Sequence, residues 1–256
     1  MNNSNDYPEF LYHYTSIDSL ALILKNRTIR FNSLINVDDP EEIRTSDTEG
    51  IGKYCYCSCW TDLEESIPFW KMYTKNMHGV MIKLKTYPFE QHKQFLEYFD
   101  GGKTIETYVP KEIFEENKLY TIPTIPFLRK IEYNDDIKPK VFDKVISTFD
   151  NRFNMTGNLN DVGKYKSKDW SFQSEWRYSM ILLPHDELGR LNIDVSNEYK
   201  GCLQYYYDVK LRDDAFDDME IVIGPNINNG EREIIKEICN KFAPKIKISD
   251  SRIKIK

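Results

Sequence analysis

Phe10-Leu-Tyr-His-Tyr-Thr15, then Ser16-Ile-Asp-Ser-Leu-Ala-Leu-Ile-Leu24, then Thr28-Ile-Arg-Phe-Asn-Ser33: these three runs decide how the chain is read. The first reads as a short strand. Ser16 is placed to cap a helix whose Ile17, Leu20, Ala21 and Leu24 recur at i, i+3, i+4 and i+7, giving one apolar face. The helix ends near Asn26. Thr28 to Ser33 then alternates polar and apolar residues, the period of a strand.

Outward from there, strand patterns outnumber helical ones. Tyr54-Cys-Tyr-Cys-Ser-Cys-Trp60, Gly79-Val-Met-Ile-Lys-Leu84, Phe127 to Tyr133, Trp176 to Leu183, Cys202 to Leu211, Met219 to Ile223 and Ile246 to Ser249 all read as strands. Asn36-Val-Asp-Asp-Pro-Glu-Glu42 is an acidic turn. Ser66 to Tyr73 reads as a short helix with Pro68 in its first turn. Phe89, His92, Leu96 and Phe99 suggest another helix, broken at Gly101-Gly102. From Pro139 a helix is expected to carry Phe142, Val145, Ile146, Phe149 and Phe153 on one face, and Glu231 to Phe242 forms the last. Strands in irregular order predict an α+β fold rather than a doubly wound parallel sheet. Residues 1–256 are expected to form one domain, with 87–125 as an insertion within it.

Composition narrows the partners. A formal charge of -6 argues against a surface that coats nucleic acid, though not against a local basic groove. The 17 Tyr, 14 Phe and 4 Trp suit a site for a planar ligand, and suit an aromatic-rich core equally well. No run approaches the roughly 18 apolar residues of a membrane helix. No leader pattern opens the chain, so a cytoplasmic location is expected. The cysteine count of five is odd, and Cys55, Cys57 and Cys59 alternate instead of bracketing loops. They are expected on one sheet face, unbridged and without metal.

No P-loop, GxGxxG, HExxH or GxSxG occurs, which removes several enzyme classes. Two segments remain. His13 ends a strand and is followed by the hydroxyls of Thr15 and Ser16 at a helix start, an arrangement suited to a ribose hydroxyl or a phosphate, or to a structural histidine. Far downstream, Lys164-Tyr-Lys-Ser-Lys-Asp-Trp-Ser-Phe-Gln-Ser-Glu-Trp-Arg177 brings Glu175 into an apolar strand beside Trp176. A half-buried carboxylate there needs a partner, either Arg177 on the same strand face or a ligand hydroxyl.

The residues quoted so far resemble a bacterial domain family classed as of unknown function. Its landmarks fall at Leu11 to Ser16, Asp38-Asp-Pro-Glu-Glu42, Ser58-Cys-Trp60, Trp70 to Tyr73, Gly79-Val-Met-Ile82, Lys166-Ser-Lys-Asp-Trp170 and Glu175-Trp-Arg177. Asn36 stands one residue further from Pro40 than the pattern has it, and Gln173 replaces the first of two paired glutamates. The opening Tyr-His-Tyr-Thr-Ser…Ile-Leu is also similar to that of the ADP-ribosyltransferases, notably the DNA-modifying toxin branch. That second resemblance implies a split antiparallel sheet and NAD as substrate. It assigns His13 to the adenosine ribose, Tyr14 or Tyr73 to nicotinamide, and Glu175 to catalysis. Thr15 and Arg177 complete the candidate binding set. The implied function is ADP-ribosyl transfer or NAD cleavage, as a toxin or phage-defence effector, with a nucleic acid or a protein as acceptor. Lys164, Lys166, Lys168 and Arg177 are candidates for an acceptor phosphate or for a solvated basic face.

Two other readings stand beside this one. The chain is a non-catalytic nucleotide-binding or interaction domain, or a metal-dependent nuclease using Asp39, Glu42, Glu175 and Lys168. The transferase reading requires His13 and Glu175 to face one cleft.

Overall fold

The computed structural model describes residues 7–48, 50–96, 102–121, 127–136, 138–139, 159–189, 192–193 and 204–255. Strand β1 (Phe10–Ser16) runs directly into helix α1 (Ile17–Asn26). The Ser16 hydroxyl accepts the Ser19 N–H at 3.2 Å, satisfying one free donor of the first turn. Arg27, at φ 56°, leaves the helix in the left-handed region and returns its N–H to the Ile23 carbonyl. Leu20, Ile23 and Leu24 make the buried face, so Ile23 stands where the sequence pattern placed Ala21. β2 (Thr28–Ser33) follows with strict alternation: Ile29, Phe31 and Ser33 are buried, Arg30 and Asn32 exposed.

β3 (Cys55–Thr61), α2 (Ile67–Tyr73) and β4 (Gly79–Lys85) lie where the sequence places them. β5 (His92–Leu96) corrects it. That segment pairs antiparallel with β6 (Lys103–Thr107), from His92↔Thr107 to Leu96↔Lys103, and is not a helix. The helical spacing of its apolar residues is overridden by the hairpin, whose return residue Gly102 has φ +67°. Helix α3 (Lys111–Asn117) leads into β7 (Leu119–Thr121). The single strand expected over Phe127 to Tyr133 is two, β8 (Phe127–Lys130) and β9 (Glu132–Tyr133), and β9 pairs in parallel with β10 (Tyr165–Lys166). The helix expected from Pro139 falls outside the described residues.

β11 (Glu175–Pro184) is buried at all ten positions. β12 (Tyr206–Lys210), β13 (Glu220–Ile223), α4 (Asn229–Phe242) and β14 (Lys247–Asp250) complete the chain. The main sheet is open and mostly antiparallel, in the order β12-β2-β3-β1-β4-β13-β14, with β11 on β3 and β7 and β8 on β11. Its parallel pair, β13 and β14, is bridged by α4, since parallel neighbours need a crossover.

The sheet forks at β3. A strand has two edges, and β11 takes one along the whole of β3, from Glu175↔Thr61 to Ile181↔Cys55. β1 and β2 therefore share the other. β1 meets it only at Tyr12↔Thr61, and β2 only at Asn32↔Cys57 and Ser33↔Tyr56. Among the described residues no strand pairs with Ser58, Cys59 and Trp60 on that edge, and the cleft opens there. No helix among the described residues is long and apolar enough to cross a membrane.

Candidate functional site

The fork encloses a cavity of about 200 Å³. β1 contributes Tyr12, His13 and Tyr14, β3 contributes Cys57 to Trp60, and β11 contributes Glu175 and Arg177. Phe69 and Tyr73 enter from α2, Asp38 from the acidic turn, and Lys166 and Gln173 from the segment before β11. His13, Tyr14, Tyr73, Glu175 and Arg177, nominated from sequence, thus border one space. Thr15 does not; it is buried away from that lining.

His13 bridges the fork. Its Nδ1 lies 3.1 Å from the Cys59 carbonyl oxygen, and its ring is 5.1 Å from that of Trp60. A carbonyl can only accept, so Nδ1 carries the proton and Nε2 of the neutral ring is left as an acceptor. Burial pulls the imidazole pKa below its ordinary value, and the Cys59 carbonyl opposes this in part. The folded protein therefore resists a proton that the unfolded chain accepts near pH 6.5. Stability should fall as pH drops below about 6.5, because there the unfolded state binds more protons. Melting temperatures from pH 8 to 5 should show that slope in the wild type and a shallower one in His13→Gln. An equal slope in both would assign the effect elsewhere.

The two tyrosines differ. Tyr14 is enclosed: its ring packs on Phe69 and Trp70, and its hydroxyl donates to the Glu64 carbonyl and accepts from Ser66 N–H. Tyr73 packs on Phe69 at 5.3 Å and donates its hydroxyl to Asp38 at 2.7 Å. The Tyr73 oxygen in turn accepts from Gln173 Nε2 at 2.6 Å. That chain fixes which way the amide points. Gln173 is 3% exposed, and its Oε1 has no hydrogen-bond partner among the described residues. A buried acceptor of this kind is expensive to leave unmade.

Glu175 is delivered by a tight reversal. The 3-10 turn Lys168–Gln173 ends at Ser174, held at φ 41°, and the chain then enters β11. The Glu175 N–H donates to the Tyr133 hydroxyl at 2.8 Å. Its side chain belongs to a buried group of four. Arg177 donates Nε and Nη2 to Glu175 Oε1 at 2.8 and 2.5 Å. Through Nη1 it donates to Glu42 Oε2 at 2.5 Å and to the Gly163 carbonyl at 3.0 Å. Lys166 Nζ closes the ring, 3.2 Å from Glu175 Oε2 and 3.1 Å from Glu42 Oε1. Two carboxylates face two cations, and none of the four is more than 5% exposed. Burial pushes Glu175 upward, but Arg177 and Lys166 outweigh it and hold the carboxyl below its ordinary range. Burial works against charge on Lys166 and Arg177 too, and Glu175 and Glu42 hold both above their ordinary values.

The Glu175–Arg177 pair was visible in the sequence; Glu42 and Lys166 as its partners were not. Lys166 and Arg177 are buried and so belong to no solvated basic face, whereas Lys168 is exposed and pairs with Asp135. Asp39 is occupied by the backbone N–H groups of Glu41 and Ser167. Among the described residues no group of three or more His, Cys, Asp or Glu is arranged to hold a metal ion. Cys55, Cys57 and Cys59 share one face of β3 as free thiols, the first two buried and the third half-buried.

A protein-family model described as a protein of unknown function (DUF2971) matches residues 69–178, less than half of the chain. The match contains Tyr73, Lys166, Gln173, Glu175 and Arg177 and ends short of His13, Asp38, Glu42 and the β3 thiols. No curated protein and no solved structure matches the chain. Over residues 69–178, then, the chain is similar to a domain family of unknown function.

Proposed function

We propose that the cleft binds a nucleotide of the NAD type and that the chain transfers or releases its ADP-ribosyl group. The observation that carries this reading is the convergence of His13 and Glu175, on strands far apart in sequence, at one aromatic-lined cavity in a forked antiparallel sheet. The transferase resemblance, which implies a split antiparallel sheet, supports the same reading. The cavity has room for one ribose and its base, and the rest of the nucleotide lies over the rim. Arg30 borders the same space with 44% of its side chain exposed, and a phosphate there competes with Asp208.

His13 Nε2 accepts a hydroxyl of the adenosine ribose. Tyr73 stacks on nicotinamide, because it is half-buried at the cavity wall, whereas Tyr14 is 5% exposed and packed on Phe69 and Trp70. The orphan Oε1 of Gln173 accepts a ligand N–H or O–H. Glu175 Oε2 takes the 2′-hydroxyl of the reacting ribose beside Lys166, where the hydroxyl competes with the Cys59 thiol for the carboxylate. As the bond to nicotinamide breaks, positive charge grows at C1′, and a fixed carboxylate there stabilises the transition state more than the ground state.

One observation favours a second reading: both Glu175 oxygens already have cationic partners. In that reading the cleft binds the nucleotide without cleaving it and Glu175 is structural. A melting scan with NAD, ADP-ribose and other nucleotides, run beside an assay for released nicotinamide, tests both. NAD at a hundred times its Kd should add about 2.7 kcal/mol of stability. Stabilisation with nicotinamide release supports catalysis, and stabilisation alone supports the binder. Neither effect with any nucleotide would overturn both.

A further inference from the structure

Two thiols in the cleft wall take no part in that chemistry. Cys57 and Cys59 are two positions apart on β3, so their side chains leave the same face of the strand. Their Sγ atoms lie 4.0 Å apart, both residues border the cavity, and neither is bridged. Cys55, next on the same face, is different. It does not border the cavity, its thiol points to the Val162 carbonyl, and burial pushes its pKa up to about 12.

We propose that Cys57 and Cys59 form a chelating dithiol site in the cleft, one that takes a trivalent, monosubstituted arsenical as a bridging ligand. Each thiol loses its S–H proton to one of the two As–OH groups. Two As–S bonds form, two waters leave, arsenic stays trivalent and no electrons are exchanged. A bridging atom suits the geometry better than a direct disulfide does. Alternate residues of a strand have Cα atoms about 6.6 Å apart, at the long end of the roughly 4.4–6.8 Å that a disulfide spans. The cavity supplies the route of entry and space for the substituent on arsenic.

The pair is also primed for attack. The two thiols lie within hydrogen-bond distance of each other, which favours a thiolate on one of them, and Cys59 also lies against the Glu175 carboxylate. Burial opposes a thiolate at Cys57, and Arg177, across the ladder from Cys59, favours it. The thiolate is the reactive form of cysteine, so whichever of the two ionises attacks first and the other closes the ring. The second bond is intramolecular, and linked contacts of this kind gain about 10²–10⁴ over one alone.

The test involves no nucleotide, so it stands or falls apart from the reading of the cleft. Fully reduced protein is given one equivalent of phenylarsine oxide, then alkylated with iodoacetamide and mapped by mass spectrometry. Cys57 and Cys59 should be protected together. A large excess of glutathione should leave the adduct in place, and 1,2-ethanedithiol should remove it. Cys57→Ser and Cys59→Ser should each weaken retention by about a hundredfold or more, while Cys55→Ser, Cys202→Ser and Cys239→Ser should not. Protection of any other pair, displacement by glutathione, or no adduct at all would overturn the site. Should a serine variant fail to fold, the protection map of the wild type decides alone.

Discussion

Arg177→Met should lower the stability of the folded protein by about 3–5 kcal/mol, the scale of breaking a buried ion pair from one side. Arg177 is fully buried and is the common partner of two carboxylates, Glu175 and Glu42. Methionine fills part of the volume but leaves both carboxylates with Lys166 alone, one negative charge in excess in a medium that solvates it poorly. For a chain of this size the loss corresponds to a fall of roughly 10 °C in melting temperature. Adding Glu42→Gln removes the surplus charge, so the double variant should recover part of the loss; residues in one network are not additive. Denaturant midpoints for the wild type, both single variants and the double variant check this. A loss under about 1 kcal/mol in Arg177→Met would mean that water or a rearranged Lys166 reaches the site. The same network predicts an acid limb. Glu175 is held below its unfolded value of 4.5, so its contribution is present above that pH and is lost as pH falls through the depressed value.

What the sequence reveals here is what local periodicity can carry. α1 announces itself by a period of 3.6 and a capping serine, β2 by a period of 2, and β1, β11 and α4 by the character of their runs, and each lies within a residue or two of its expected place. β5 misleads because His92, Leu96 and Phe99 fall at helical spacing, while the force that decides is pairing with β6, which no window over residues 87–99 contains. The fork is harder still. It depends on β1 and β2 meeting the same edge of β3 at different heights, a matter of register between strands that are not neighbours in sequence. The site follows the same rule. His13 and Glu175 are nominated by their immediate surroundings. Glu42 reads as one more acid in a turn and Lys166 as one more surface cation, because their burial depends on Arg177 arriving 135 positions after Glu42. Gln173 shows a milder case. Its replacement of a glutamate is visible in the chain, but only the hydrogen bond to Tyr73 reveals that its carbonyl has no partner among the described residues.

Glu175→Gln separates the two readings of the cleft. The amide keeps the shape and an acceptor oxygen, so Arg177 still has a partner, but Lys166 and Arg177 then face Glu42 alone and the buried group carries one surplus positive charge. Stability should therefore fall in either reading, by about 1–3 kcal/mol, the range for a buried group left partly unsatisfied. The melting curve alone decides nothing. Kinetics does, measured well below the lowered melting temperature. If Glu175 stabilises the oxocarbenium-like transition state, nicotinamide release should drop by about 10²–10³, with NAD affinity little changed because the ground-state hydroxyl can accept from the amide NH2 where it donated to the carboxylate. His13→Ala should show the reverse pattern, weaker binding with turnover at saturation less affected, since His13 holds the end of the nucleotide that does not react. If Glu175 is structural, its glutamine variant should bind NAD as the wild type does and neither protein should release nicotinamide. A glutamine variant that melts earlier yet turns over NAD at the wild-type rate would remove Glu175 from the chemistry and leave His13, Tyr73 and Gln173 to account for it.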